Sequence, residues 1–290
     1  MEVKNPLFII GTGRCGSTIF HEALAHHAQM AWLSPWCLKY PGKPELNRLA
    51  MRLIDMPLPA RYVKKVLYPG EFYPFWEYHC SGFSEPCRDL CKVDVTNTTR
   101  ATLRNVFSTM LTPKRNRLLI KITGWPRVGF LKEIFPDAKF IHIYRDGRAV
   151  ANSWLHVKWW SGWAGPDHWR WGELAPEQRQ KWERYGKSFV VLAAIGWEIL
   201  MDAFADAKRT IPPSDFMEIC YEDFCQDHTT FFRKAADFGS LEWSREFEGI
   251  VSQFSLHSAN NKWQKDLSDV QQHMLCESLS DSLRRYGYAS

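Results

Sequence analysis

Long apolar runs are missing from this chain. The longest candidate, Phe189 to Leu200, contains Gly196 and Glu198 and is too short to cross a bilayer. The amino terminus, Met1 to Pro6, has no basic leader region, and the apolar stretch that follows breaks at Gly11, too early for a signal peptide. Together these absences predict a protein that stays in a reducing cytoplasm. No five basic residues stand in a row, and the net charge is only +5 over 290 residues. That argues against a nucleic-acid surface and is equally well explained by an anionic small ligand. The eight cysteines contain no Cys-x-x-Cys, which argues against a disulfide framework and a zinc knuckle. His79, Cys80, Cys87 and Cys91 are close enough in sequence to hold a metal in principle; they are read instead as an ordinary stretch with buried free thiols, and no metal is expected. No internal repeat or low-complexity tract occurs.

What is present is the composition of an ordinary globular protein, 45% hydrophobic and 24% charged, long enough for one large domain spanning 1–290. Leu7 to Ile10 is a short apolar run that stops at a glycine-rich turn, and Ser17 to Ala28 has helical spacing. Leu118–Ile122 and Lys139–Tyr144 read as buried parallel strands joined by a helix over Val128–Phe135, and Phe216–Tyr221 is a fourth strand candidate. Strands separated by helices predict an α/β fold: a P-loop-like, doubly wound parallel sheet of at least four strands, flanked by helices, with ligands at the carboxyl ends of the strands. Residues 32–115, rich in proline, aromatic and basic residues and lacking clean periodicity, read as an inserted, mostly helical lobe. Residues 176–209 read as one long helix or two abutting ones.

Gly11-Thr12-Gly13-Arg14-Cys15-Gly16-Ser17-Thr18 has the glycine spacing of a nucleotide phosphate loop, but Ser17 stands where a Walker A loop needs lysine. The glycines allow close approach to an anion, and backbone N–H groups at the helix start supply a nest for phosphate-like oxygens. Without the lysine that neutralises the transferred phosphate of ATP or GTP, Arg14 is the cation inside the loop. Downstream, Phe140 to Ser153 places Arg145 at the end of a buried strand, Asp146 where it can cap the next helix, and Ser153 two turns along that helix.

Taken together, the two segments resemble the 5′-phosphosulfate loop and the 3′-phosphate motif of the sulfotransferases that use 3′-phosphoadenosine 5′-phosphosulfate (PAPS). The likeness is to the bacterial-type branch, with similarity to tyrosylprotein sulfotransferases in the "RDGRA" stretch. Lys121 in "LIKITGWP" resembles the family's catalytic lysine, Tyr221-Glu222-Asp223 its "YED" strand end, and Asn260-Asn261-Lys262-Trp263 its late nucleotide-contacting loop. The resemblance implies sulfuryl transfer from PAPS, without a required metal, to a hydroxyl on a small molecule, lipid or glycan. It implies that Gly13, Arg14, Cys15, Gly16, Ser17 and Thr18 hold the 5′-phosphosulfate and that Arg145 and Ser153 hold the 3′-phosphate. Tyr221 and Lys262 would approach the adenine or the 3′-phosphate end, and residues 32–115 would face the acceptor. Whether the chain is a monomer or a homodimer stays open.

Sulfuryl transfer depends on positioning and on cations aimed at the leaving oxygen, a role assigned to Lys121 and Arg14. The acceptor also needs a base, and here the pattern fails. Thr123 stands where cytosolic members carry histidine, and the glutamate of the tyrosylprotein relatives would fall near Ser34-Pro35. Glu77, His79, Glu85, Asp94, His21 and Glu22 are the remaining candidates, with Glu85 and His79 ranked first because "EYHCSGFSEP" mixes polar groups with aromatics. Six tryptophans between Trp154 and Trp171 read either as a lid (154–175) over the acceptor or as a structural plug. Two other functions compete with the enzyme reading: a P-loop kinase or NTPase, and a nucleotide-binding or membrane-surface module without chemistry.

Overall fold

Leu7–Gly11 is buried throughout, with Leu7 and Ile9 in one apolar cluster and Phe8 and Ile10 in another. A strand sealed on both faces needs no polar alternation, so its sequence reads as an unbroken apolar run. In the computed structural model, which describes residues 1–56, 66–84, 87–256 and 258–289, this strand (β1) is the centre of a five-stranded sheet. Its companions are β2 (Met30–Ala31), β3 (Arg117–Thr123), β4 (Lys139–Tyr144) and β5 (Phe216–Cys220), in the order β2-β3-β1-β4-β5. Every neighbouring pair is parallel, as the strand–helix alternation predicts. Strand β2, only two residues long, is too short to leave a periodic signal.

Helix α1 (Ser17–Ala25) covers one face of the sheet through Phe20 and Leu24. It stops three residues short of the expected Ala28. The amides of His26 and His27 bond to carbonyls only three residues back, which tightens the last turn and ends the helix. Between β2 and β3 lie α2 (Pro35–Lys39), α3 (Pro44–Ile54), α4 (Tyr73–His79) and α5 (Asn97–Met110). The opposite face is covered by α5, α6 (Val128–Ile134), α7 (Gly147–Leu155) and α9 (Phe189–Arg209), which follows α8 (Pro176–Arg184). The break between α8 and α9 falls at Gly186 and Lys187, both at positive φ (63° and 58°). Strand β5 ends one residue before the expected Tyr221, which instead opens α10 (Tyr221–Gln226).

The thiols depart from the sequence expectation. Cys15 and Cys37 are buried, whereas Cys87 and Cys91 are exposed, because their segment runs over the surface and the Cys91 thiol faces Asp94. No helix among the described residues is long and apolar enough to cross a membrane.

Candidate active site

Parallel registry brings the carboxyl ends of four strands to one edge. Gly11 lies opposite Thr123, and Tyr144 opposite Cys220, so the loops after β1, β3 and β4 and the start of α10 converge. The loop after β1 turns through left-handed residues at Gly13 (φ 79°), Arg14 (φ 57°) and Gly16 (φ 87°) before α1 begins. Helix α1 has no acidic residue in its first turn, so its amide dipoles remain available to an anion. Cys15 contributes backbone alone; its thiol is fully buried against Gly11, and burial pushes its pKa up.

The lysine missing from the loop is matched by one on the neighbouring strand β3. Leu119 lies in the apolar cluster under α1, and strand alternation carries Lys121 to the same face. Its ammonium donates to the Thr18 hydroxyl at 2.7 Å, at the start of α1. It also pairs with the Glu71 carboxylate at 3.0 Å, with the lysine side chain 9% and the glutamate 18% exposed. The Thr123 hydroxyl donates to Glu71 at 2.9 and 3.1 Å, and the Tyr73 hydroxyl donates to the Thr123 carbonyl oxygen. Glu71, Tyr73 and Thr123 share with the loop a cavity of about 330 Å³, closed on another side by Trp159, Arg170 and Trp171.

At the other end of the loop, Arg145 is buried and held from three sides. Its Nε donates to Asn260 at 2.7 Å, its Nη1 donates to the Arg14 carbonyl oxygen at 3.0 Å, and its guanidinium lies 4.5 Å from the centre of the Tyr221 ring. The Arg14 side chain donates from Nε to the Ser153 hydroxyl at 2.9 Å. Asn260 and the Asp146 amide both donate to Glu222, which also accepts from Tyr288 at 2.9 Å. Asp146 caps α7 as expected, accepting from the Arg148 amide at 2.8 Å and from the Arg148 guanidinium.

A profile described as the sulfotransferase family matches residues 6–245. The chain belongs to that family. Among solved structures, this sulfotransferase is similar to sulfotransferase STF9 from Mycobacterium avium, with 15% identity, a TM-score of 0.62, and coverage of 100% of this chain and 78% of that one. It is also similar to sulfotransferase STF1 from Mycobacterium tuberculosis H37Rv, at 15% identity and TM-score 0.57, covering 96% and 77%. A third similar structure is the sulfotransferase domain from the curacin biosynthetic pathway, at 13% identity and TM-score 0.52, covering 100% and 99%. At these identities the likeness speaks to the fold. No curated protein sequence matches the chain significantly.

In the sulfotransferase, Gly13, Arg14, Ser17 and Thr18 line the cavity and Lys121 reaches Thr18 at its edge; Gly16, Arg145, Ser153 and Tyr221 gather around the other side of the same loop. Lys262 is exposed on the short turn that also carries Asn260. The structure does not bring the expected bases together at the cavity. The His79 ring nitrogen lies 2.8 Å from the Pro41 carbonyl oxygen, and Glu77 caps the amides of Gly82 and Ser84. Asp94 is paired with Arg88, Glu22 is exposed, and His21 is buried under α1 with burial and the Lys121 charge holding it neutral. Glu85 lies outside the described residues.

The sequence reading gives Asn260 no role of its own and does not name Glu71. Asn260 belongs to a stretch that the family likeness already singled out. Glu71 is a lone carboxylate in "YPGEFYP", and nothing in its surroundings marks it.

The tryptophan segment divides its labour. Trp154 is fully buried and stacks on Trp160 and Trp171 at centroid separations of 5.9 and 5.3 Å. Trp159 and Trp171 reach the cavity wall, while Trp163 is exposed.

Proposed function

We propose that this sulfotransferase transfers the sulfuryl group of PAPS to an acceptor hydroxyl carried by a small molecule, lipid or glycan. The observation that carries this reading is the position of Lys121. A lysine-less glycine loop receives its ammonium from the neighbouring strand, at 2.7 Å from Thr18, while Arg145 stands at the end of the strand on the other side.

In this reading the amides of Gly13 to Thr18, with Arg14, hold the phosphosulfate. Arg145 and Ser153, supported by Asn260, take the ribose phosphate, and the Tyr221 ring offers a face to the adenine end. Lys262 supplies an exposed charge on the same turn as Asn260. The transition state of such a transfer is loose, with charge growing on the bridging oxygen of the leaving phosphate. Lys121 and Arg14 are the cations assigned to stabilise it. Trp159 and Trp171 form an apolar wall for the acceptor, and the helices of residues 32–115 bring Glu71 and Tyr73 to its other side.

The kinase alternative is weakened by Asp146. The carboxylate that would have to serve a metal is occupied by capping α7 and by the Arg148 guanidinium.

The test is incubation with PAPS, with and without a chelator, against a panel of phenols, sterols, glycans and hydroxylated lipids. Formation of 3′-phosphoadenosine 5′-phosphate (PAP) without added metal is the expected outcome. Strict dependence on Mg²⁺ and ATP would overturn it.

A further inference from the structure

Lys121 has two anionic demands on one ammonium: the Glu71 carboxylate, which it already holds, and the leaving phosphate oxygen, which it must stabilise. We infer that Glu71 is the general base of the reaction and that the Lys121–Glu71 pair is a latch, released when the donor arrives. The inference rests on the proposed sulfuryl transfer and assigns a residue that the motifs do not supply.

Four observations converge on Glu71. It is the one carboxylate lining the cavity among the described residues. The Thr123 hydroxyl, itself on a strand end, donates to it at 2.9 and 3.1 Å and fixes its orientation. The Tyr73 phenol, the other acidic group at the wall, is held protonated by burial and by the Glu71 charge, and donates its hydrogen to the Thr123 carbonyl oxygen. Arg14 and Arg170, which complete the charged lining, cannot accept a proton. A base must stand within hydrogen-bond reach of the hydroxyl it deprotonates, and Glu71 stands beside the lysine that faces the breaking bond.

The chemical step balances as follows. The acceptor hydroxyl gives its proton to a Glu71 oxygen while the acceptor oxygen bonds to sulfur. The sulfur–oxygen bond to the 5′-phosphate breaks, and its electron pair stays on the phosphate oxygen, to which Lys121 donates a hydrogen bond. Glu71, 18% exposed, then returns the proton to solvent. Before the donor binds, the Lys121 ammonium and the Glu71 carboxylate are engaged with each other. The incoming phosphate competes for the ammonium and so readies both groups in one event.

This arrangement predicts opposite effects of one substitution on binding and turnover. With Glu71→Gln in the full chain, Lys121 loses its neutralising partner. PAP, titrated by calorimetry, should then bind about three- to tenfold more tightly than to the wild type, while kcat with an accepted alcohol or phenol falls about a hundredfold or more. The kcat loss should shrink for an acceptor that is already ionised at the assay pH, such as 4-nitrophenol, and Glu71→Asp should recover part of the rate. A side chain that merely props the pocket would weaken PAP binding when altered. PAP binding that is weaker or unchanged in Glu71→Gln, or turnover within about threefold of wild type, overturns the assignment. Failure of the wild type to bind PAP would instead strike the donor itself, so the two errors are told apart.

Discussion

A Cβ on Gly16 would lie 2.3 Å from the ring of Tyr221, and Gly16 holds a φ of 87°. The glycine is therefore required twice, by its backbone angle and by the aromatic face that closes on it. Because the same ring lies against Arg145, the phosphate loop and the end of β5 are set by one contact. Gly16→Ala must displace Tyr221, strain the loop, or both. It should weaken PAP binding at least tenfold, with a loss of about 1–3 kcal/mol in stability. Calorimetric titration and denaturant unfolding measure the two effects, and unchanged affinity would contradict the packing described.

Arg145 and Arg14 make a second, graded prediction. Arg145 is buried and anchored by Asn260 and by the Arg14 carbonyl oxygen, so it meets a ligand already oriented; the Arg14 side chain is exposed and held by the Ser153 hydroxyl. Each change to alanine should raise the Kd for PAP at least tenfold, as expected for a charge-assisted hydrogen bond worth about 1.5–3 kcal/mol. Arg145→Lys should recover little, because an ammonium cannot occupy two directions with the geometry of the guanidinium fork. Wild-type affinity in both alanine variants would remove the assigned pocket.

The contrast between Arg145 and Glu71 shows what the sequence could carry. Strand ends, glycine turns and caps are local: Ile9-Ile10-Gly11, Tyr144-Arg145-Asp146 and Ile122-Thr123-Gly124 each announce where a strand stops, and parallel strands stop at the same edge. That logic puts Arg145 at a strand end, and the family resemblance supplies the roles of Lys121 and Arg145. Glu71 is brought there by the fold of residues 32–115, which has no repeating pattern and whose course is decided by packing of Phe75, Trp76, Phe83 and Phe107 against the sheet. His79, ranked with Glu85 for its mixed polar and aromatic neighbourhood, and Glu77, a further candidate, are taken up by that packing and its turns. Glu71 lies six residues before Glu77, and a single glutamate has no spacing to read.

Acid sensitivity should trace to His21. The side chain is 1% exposed, and burial first, then the Lys121 charge, push its pKa from 6.5 down to about 3. The unfolded chain therefore takes up a proton that the native state refuses. The stability contributed by this difference is complete above pH 6.5 and is lost as the pH falls towards 3. By pH 5 the loss amounts to about 2 kcal/mol. His21→Leu should flatten the fall in unfolding free energy between pH 7.5 and 5 by roughly that amount. Denaturant titrations at the two pH values measure it, and parallel slopes for both proteins would remove His21 as the source.

Trp154 and Trp159, five residues apart, should separate stability from acceptor recognition. Trp154 is sealed between Trp160, Trp171 and α9, where a Cβ on Gly196 would already come within 3.0 Å of its ring. Removing that indole leaves a void that close-packed neighbours cannot fill, so Trp154→Ala should cost about 3–5 kcal/mol. Trp159 is only half-buried; one side of it meets the cavity and its ring lies 5.8 Å from the Arg170 guanidinium. Trp159→Ala should leave most of the stability in place and raise the acceptor KM several-fold, with the Kd for PAP unchanged if its ring serves the acceptor wall alone. A plain plug would show the reverse ordering, with both variants losing stability and neither altering KM at a temperature where the protein remains folded. Measuring KM for the acceptor and Kd for PAP on the same preparations decides whether the tryptophan segment recognises substrate or only supports the wall.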